Sequence, residues 1–112
     1  MDTRTKIISL EEAAIRLREE GLVAVRIDCD PYLAPLASAL QNLGKPVLAL
    51  VSQRDDAYLD LRGRMELAAG LAVVACVAEG DLPGDDILDL RDTEAKWRAT
   101  LEADVLRKSG AR

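Results

Sequence analysis

Three short runs of apolar residues, LVAVRI at 22–27, PVLALVS at 46–52 and AVVACVA at 72–78, most constrain what this chain can fold into. None alternates apolar with polar, as a strand with one face in water does. Each is short and sits among Gly, Pro or acidic residues, so the three read as strands buried on both faces. Such strands, separated by helix-length segments, imply crossover connections and a parallel sheet with helices packed over it.

The segments between them supply the helices. SLEEAAIRLREEG opens with Ser9 as an N-cap and Glu12 three residues on, places Leu10, Ala13, Ala14 and Leu17 on one face, and closes at Gly21. Leu33, Leu36, Leu40 and Leu43 recur at steps of three and four before Gly44, which predicts a second helix starting between Pro31 and Pro35. A polar loop, QRDDAY, leads to a third helix that Asp60 can cap, with Leu61, Met65, Ala68 and Ala69 turned inward. Beyond the third strand, EGDLPGDD reads as a turn-rich loop and ILDL at 87–90 as a short fourth strand. The last helix, from about Thr93 to Lys108, carries Trp97, Leu101 and Val105 at four-residue spacing, and Arg107 and Lys108 suit the negative end of its dipole. The expectation is one domain over residues 1–112: a Rossmann-like three-layer α/β/α sandwich with a small parallel sheet of three to four strands.

Composition narrows the function. The formal charge is −5, Lys and Arg do not cluster beyond the last few residues, and one Trp, two Tyr and no Phe leave no stacking platform, so a nucleic-acid partner is not expected. No segment approaches the roughly 20 consecutive apolar residues of a membrane span, and the start lacks the apolar run of a signal peptide, so no membrane partner and a cytoplasmic location are expected. Cys29 and Cys76 lie in or at the end of apolar runs and read as small buried hydrophobes in a reducing compartment.

The stretch RIDCDPYLAPL has the strand, loop and helix layout with which many domains hold a phosphate. On the structural reading, Asp30 is an N-cap for a helix beginning at Pro31 and Asp28 faces water at the end of a strand. On the chemical reading, the apolar strand followed by Asp28 and Asp30 resembles the opening D-x-D motif of haloacid-dehalogenase-type phosphatases. There one carboxylate attacks phosphorus and both help to bind Mg²⁺; Ser52 and the GDLPGDD loop would stand in for later motifs. Arg62, Arg64 and Arg91 can meet an anionic ligand or pair with Asp and Glu, and Trp97 suits a core or interface anchor.

Four pieces together, IISLEEAAIRLREEG, ALQNLGKPVLALVSQRD, YLDLRGRMELAAGLAVVACV and the spacing between them, resemble cytidylyltransferase-like nucleotidyltransferases over roughly residues 7–79. The nearest likeness is to heptose-phosphate adenylyltransferase and glycerol-3-phosphate cytidylyltransferase domains. Leu43, Gly44, Val47 to Val51 and Asp55 echo one framework segment, and Leu61, Arg64, Met65, Leu67, Ala68, Ala69 and Leu71 another. In that family the loop after the first strand carries H-x-G-H, whose histidines stabilise the transferring phosphoryl group. Here Asp30 falls at the motif aspartate, Leu33 to Leu36 stand where H-x-G-H belongs, and the chain has no histidine. The family's I-S-S/T-T-R segment is also absent; LRDTEAKW offers Arg91 and Thr93 without the pattern. The resemblance therefore implies the fold, an ancestry, and a nucleotide or sugar phosphate as ligand class, while phosphoryl chemistry that depends on positioned positive charge is not expected. Candidate ligand-binding residues are Asp28, Asp30, Ser52 and Arg91, with no cofactor; Mg²⁺ at Asp28 and Asp30 is the alternative. A homodimer through a sheet edge or the terminal helix is expected to cover apolar surface.

Overall fold

The computed structural model describes residues 3–30 and 33–110. A 3₁₀ turn at Thr3–Lys6 leads into β1 (Ile7–Ile8), then α1 (Leu10–Glu20), β2 (Val23–Arg26), α2 (Ala34–Gln41), β3 (Val47–Val51), α3 (Leu61–Ala69), β4 (Val74–Glu79), β5 (Leu88–Asp89) and α4 (Arg91–Gly110). The strands form one sheet in the order β1-β4-β3-β2-β5, and every pairing is parallel. The α/β class and the Rossmann-like arrangement follow the apolar runs. Among the described residues the sheet has five strands, however, not three to four. Ile7 and Ile8, not expected as a strand, pair with Val77 and Ala78 and extend the sheet by one edge strand.

Side chains alternate along the strands to opposite faces, and the sheet sorts its helices accordingly. Val25, Ile27, Val47, Ala49, Val51 and Val77 pack with Leu36 and Leu40 of α2 and with Met65, Ala68 and Ala69 of α3, with Trp97 of α4 against the same cluster. Ala24, Leu48, Leu50, Cys76 and Ala78 face Ala13 of α1, flanked by Leu10, Leu17, Leu82 and Ile87. The register between β3 and β4 slips by one residue after the Val47–Val74 pair, which lets Val74 and Val77 serve the same face although three residues apart. All of β3 is buried, as a central parallel strand requires.

The caps read from the sequence are formed. Ser9 Oγ accepts from the Glu12 amide at 3.1 Å, Gly21 closes α1 in the left-handed region at φ 64°, and Asp60 Oδ1 accepts from the Gly63 amide at 2.7 Å. Pro35 sits in the first turn of α2. Pro31, the other proposed start, lies outside the described residues. The N-cap of α2 is Leu33, which offers no side-chain acceptor, so Asp30 does not cap this helix. α4 starts two residues earlier than expected, and its second half leaves Leu101, Val105 and Leu106 exposed rather than continuing the buried stripe from Trp97. Among the described residues, no helix is long and apolar enough to cross a membrane.

Candidate functional site

The carboxyl ends of β2 and β3 and the start of α4 meet where a parallel sheet ordinarily presents its ligand site. At this end Asp28, Ser52, Gln53, Arg54, Asp56, Arg91, Asp92, Ala95 and Arg98 line an open cleft of about 340 Å³. Three of the four candidate residues, Asp28, Ser52 and Arg91, thus share one cleft. Asp30 lies close by, with its side chain fully buried.

Neither aspartate faces water. Asp28 Oδ2 accepts from Arg54 Nη1 at 2.5 Å, and Arg64 Nη1 lies 3.8 Å from Asp28 Oδ1. Asp30 Oδ2 accepts from Arg54 Nη2 at 3.0 Å and from the Tyr58 amide at 2.9 Å, while Oδ1 accepts from the Leu59 amide at 2.9 Å. The readings of Asp28 as solvated and of Asp30 as a helix cap are therefore both corrected. Asp30 organises the loop between β3 and α3, 28 and 29 residues away in sequence, instead of the helix that follows it. Burial works to lower the Arg54 pKa, but Asp28, Asp56 and Asp30 around it prevail and raise it, so the clamp stays charged.

Two further groups close the network. Arg64 of α3 is wholly buried; its Nη2 donates to the Ser52 carbonyl at 2.7 Å and its Nη1 to the Asp28 carbonyl at 3.1 Å, while its Nε has no hydrogen-bond partner among the described residues. Glu94 of α4 accepts the Asp28 amide at 2.8 Å and the Cys29 amide at 2.9 Å. Burial raises the Glu94 pKa against the opposing effect of those two amides. One turn further on, Arg98 Nη1 donates to the Asp30 carbonyl at 2.9 Å. Asp28, Asp30 and Glu94 are thus set against Arg54, Arg64 and Arg98. Buried charges are stable only when matched and hydrogen-bonded in this way.

The remaining candidates have local tasks. Ser52 Oγ donates to the Gly80 carbonyl at 3.3 Å, tying the exits of β3 and β4 together. Arg91 forms a fork with Asp89, Nη2 to Oδ2 at 2.6 Å and Nε to Oδ1 at 2.9 Å, and that bond drives the Asp89 carboxyl down to about 2. Arg62 pairs with Glu66 along α3. The GDLPGDD loop wraps around Arg26, which reaches Asp81 at 2.7 Å and the Leu82 carbonyl at 3.2 Å. Cys29 and Cys76 are buried free thiols, as expected; burial above all, with Glu94 beside it, pushes Cys29 up to about 12. Cys29 also holds a left-handed backbone conformation at φ 55°, uncommon for a residue with a side chain. Among the described residues, no three His, Cys, Asp or Glu side chains converge on a point suited to a metal ion.

Sequence reasoning missed Arg54, Glu94 and Arg98, and it anticipated an acidic partner for Arg64 but not its complete burial. A signal existed for two of them. Arg64 falls on the Leu61, Met65 and Ala68 stripe of α3, and Glu94 lies three residues before Trp97, so helical periodicity places both on inward faces. No protein family, curated protein or solved structure matches this chain.

Proposed function

We propose that this chain is a catalytically degenerate nucleotidyltransferase-like domain that acts through the surfaces it presents and not through turnover. The observation that supports this reading is the closure of the loop after β2. Asp28 and Asp30, the two carboxylates that could attack or hold a cation, are both paired with Arg54, Asp30 also accepts the Tyr58 and Leu59 amides, and the Asp28 and Cys29 amides are taken by Glu94. A nucleotide or sugar phosphate entering the cleft meets Arg91 and Arg98 only after competing with carboxylates already paired there, and Asp28 and Asp56 oppose its charge. A Mg²⁺ ion at Asp28 and Asp30 has to displace the Arg54 guanidinium from both, which weighs against the phosphatase reading.

The surface that best fits an interaction role is the second half of α4. Val105 is 55% and Leu106 72% exposed, with Leu101 beside Val105 on the helix. We take a second copy of the chain, paired through these residues, as the partner.

A thermal-shift titration against CTP, ATP and sugar phosphates, with and without Mg²⁺, tests the reading. A ligand at a hundredfold excess over its Kd stabilises by about 2.7 kcal/mol, so an occupied site is readily detected. No saturable shift is expected. A Mg²⁺-dependent shift that disappears in Asp28→Asn establishes a working site and overturns the proposal.

A further inference from the structure

Consecutive amides of an extended chain point to opposite sides, yet the NH groups of Asp28 and Cys29 both point at one carboxylate, 2.8 Å from Glu94 Oε2 and 2.9 Å from Glu94 Oε1. Paired backbone amides aimed at the two oxygens of one acid group are a geometry with which loops capture anions. The captured group is 4% exposed and comes from a helix more than sixty residues away in sequence. Its surroundings are defined. Arg98 lies on the next turn of the same helix, Arg64 and Arg54 flank the loop from α3 and the β3–α3 connection, and the carboxylates of Asp28 and Asp30 stand on the loop itself.

We propose that the loop after β2 is a carboxylate-binding cradle that the chain keeps filled with its own Glu94, and that the emptied cradle takes a small monocarboxylate such as formate or acetate. Two amides match the two oxygens of a carboxylate. Asp28 and Asp30 discriminate against a second negative charge, so a monoanion is preferred to the phosphate dianion. Glu94 is then an internal competitor: it fastens α4 to the loop and excludes acids from solution. The proposal is independent of the nucleotidyltransferase-like reading, because it concerns two amides and one side chain whatever their ancestry.

Thermal melts of the full chain and of Glu94→Ala test it, in formate, acetate, phosphate and chloride at matched ionic strength. The wild type is expected to respond to all four alike. Glu94→Ala is expected to melt lower and to regain roughly 4–8 °C with saturable dependence on formate or acetate, with chloride and phosphate giving less. If Glu94→Ala is unfolded without an added acid, recovery of its helical circular-dichroism signal in formate but not in chloride is the same result, and failure to recover overturns the proposal. Glu94→Gln fills the space with a side chain of equal size and is expected to show no formate effect. A formate response in Glu94→Gln or in the wild type equal to that of Glu94→Ala, or no difference between formate and chloride in Glu94→Ala, overturns it.

Discussion

Asp30 and Arg54 pair at 3.0 Å across the edge of the core, the aspartate side chain fully buried and the arginine side chain 26% exposed. The same guanidinium reaches Asp28 and Asp56 at 2.5 and 2.8 Å. A lysine, with one ammonium, cannot reproduce this fork. Arg54→Lys is expected to lose about 1–3 kcal/mol, below the full cost of breaking a buried pair because Arg54 is partly solvated. Urea denaturation checks this, and a midpoint equal to that of the wild type contradicts it.

The thiol of Cys29 is buried and pushed up to about 12, so at pH 8 it is protonated and shielded. Cys76 is also buried, and burial raises its pKa too. Neither is expected to react with a disulfide reagent in the folded protein, while both react in denaturant. Rapid labelling of Cys29 in the native state shows instead that the loop opens readily.

Acid titration isolates the Arg91 fork. The Asp89 carboxyl is lowered to about 2 by Arg91, below its ordinary value of about 3.9. A lowered carboxylate contributes stability that is present above the unfolded value and lost as pH falls through the folded one. The wild type is therefore expected to lose more stability than Asp89→Asn between about pH 4 and pH 2. Glu94, raised by burial, runs the other way: its contribution is present at low pH and declines as pH rises through its folded value. Glu94 is common to both proteins, so the difference between their curves reports Asp89; identical curves contradict the assignment.

What the sequence revealed was local. Ser9 with Glu12, Gly21, and Asp60 act within one turn of chain, and the apolar runs at 22–27, 46–52 and 72–78 need only their own burial to be recognised. Ile7 and Ile8 form too short a segment to show a period, and only pairing with β4 makes them a strand. Asp30 misled for a related reason. Beside a proline ahead of a leucine-patterned segment it has every local mark of a cap, but three partners from the β3–α3 loop compete for it and prevail. The Glu94 contact joins residues 65 and 66 positions apart and leaves no local spacing to read.

If α4 joins two copies of the chain, charge at its exposed apolar positions separates them without harming the fold. Val105→Glu with Leu106→Glu is expected to convert a dimer into a monomer by sedimentation velocity, with thermal stability of the monomer changed by about 0.5 kcal/mol or less. A wild type that sediments as a monomer at high concentration contradicts the proposed pairing.

The most direct test of the account is the stability of Asp30→Asn. Carboxylates kept for chemistry are commonly held at a cost to the fold, and replacing them leaves stability unchanged or raises it. Here Asp30 accepts from Arg54, Tyr58 and Leu59 inside the core, and an amide cannot receive all three. Denaturant unfolding is predicted to show a loss of about 2–4 kcal/mol with an unchanged slope. A variant as stable as the wild type, or more so, contradicts the claim that this loop holds the fold together and identifies it as a site kept for function.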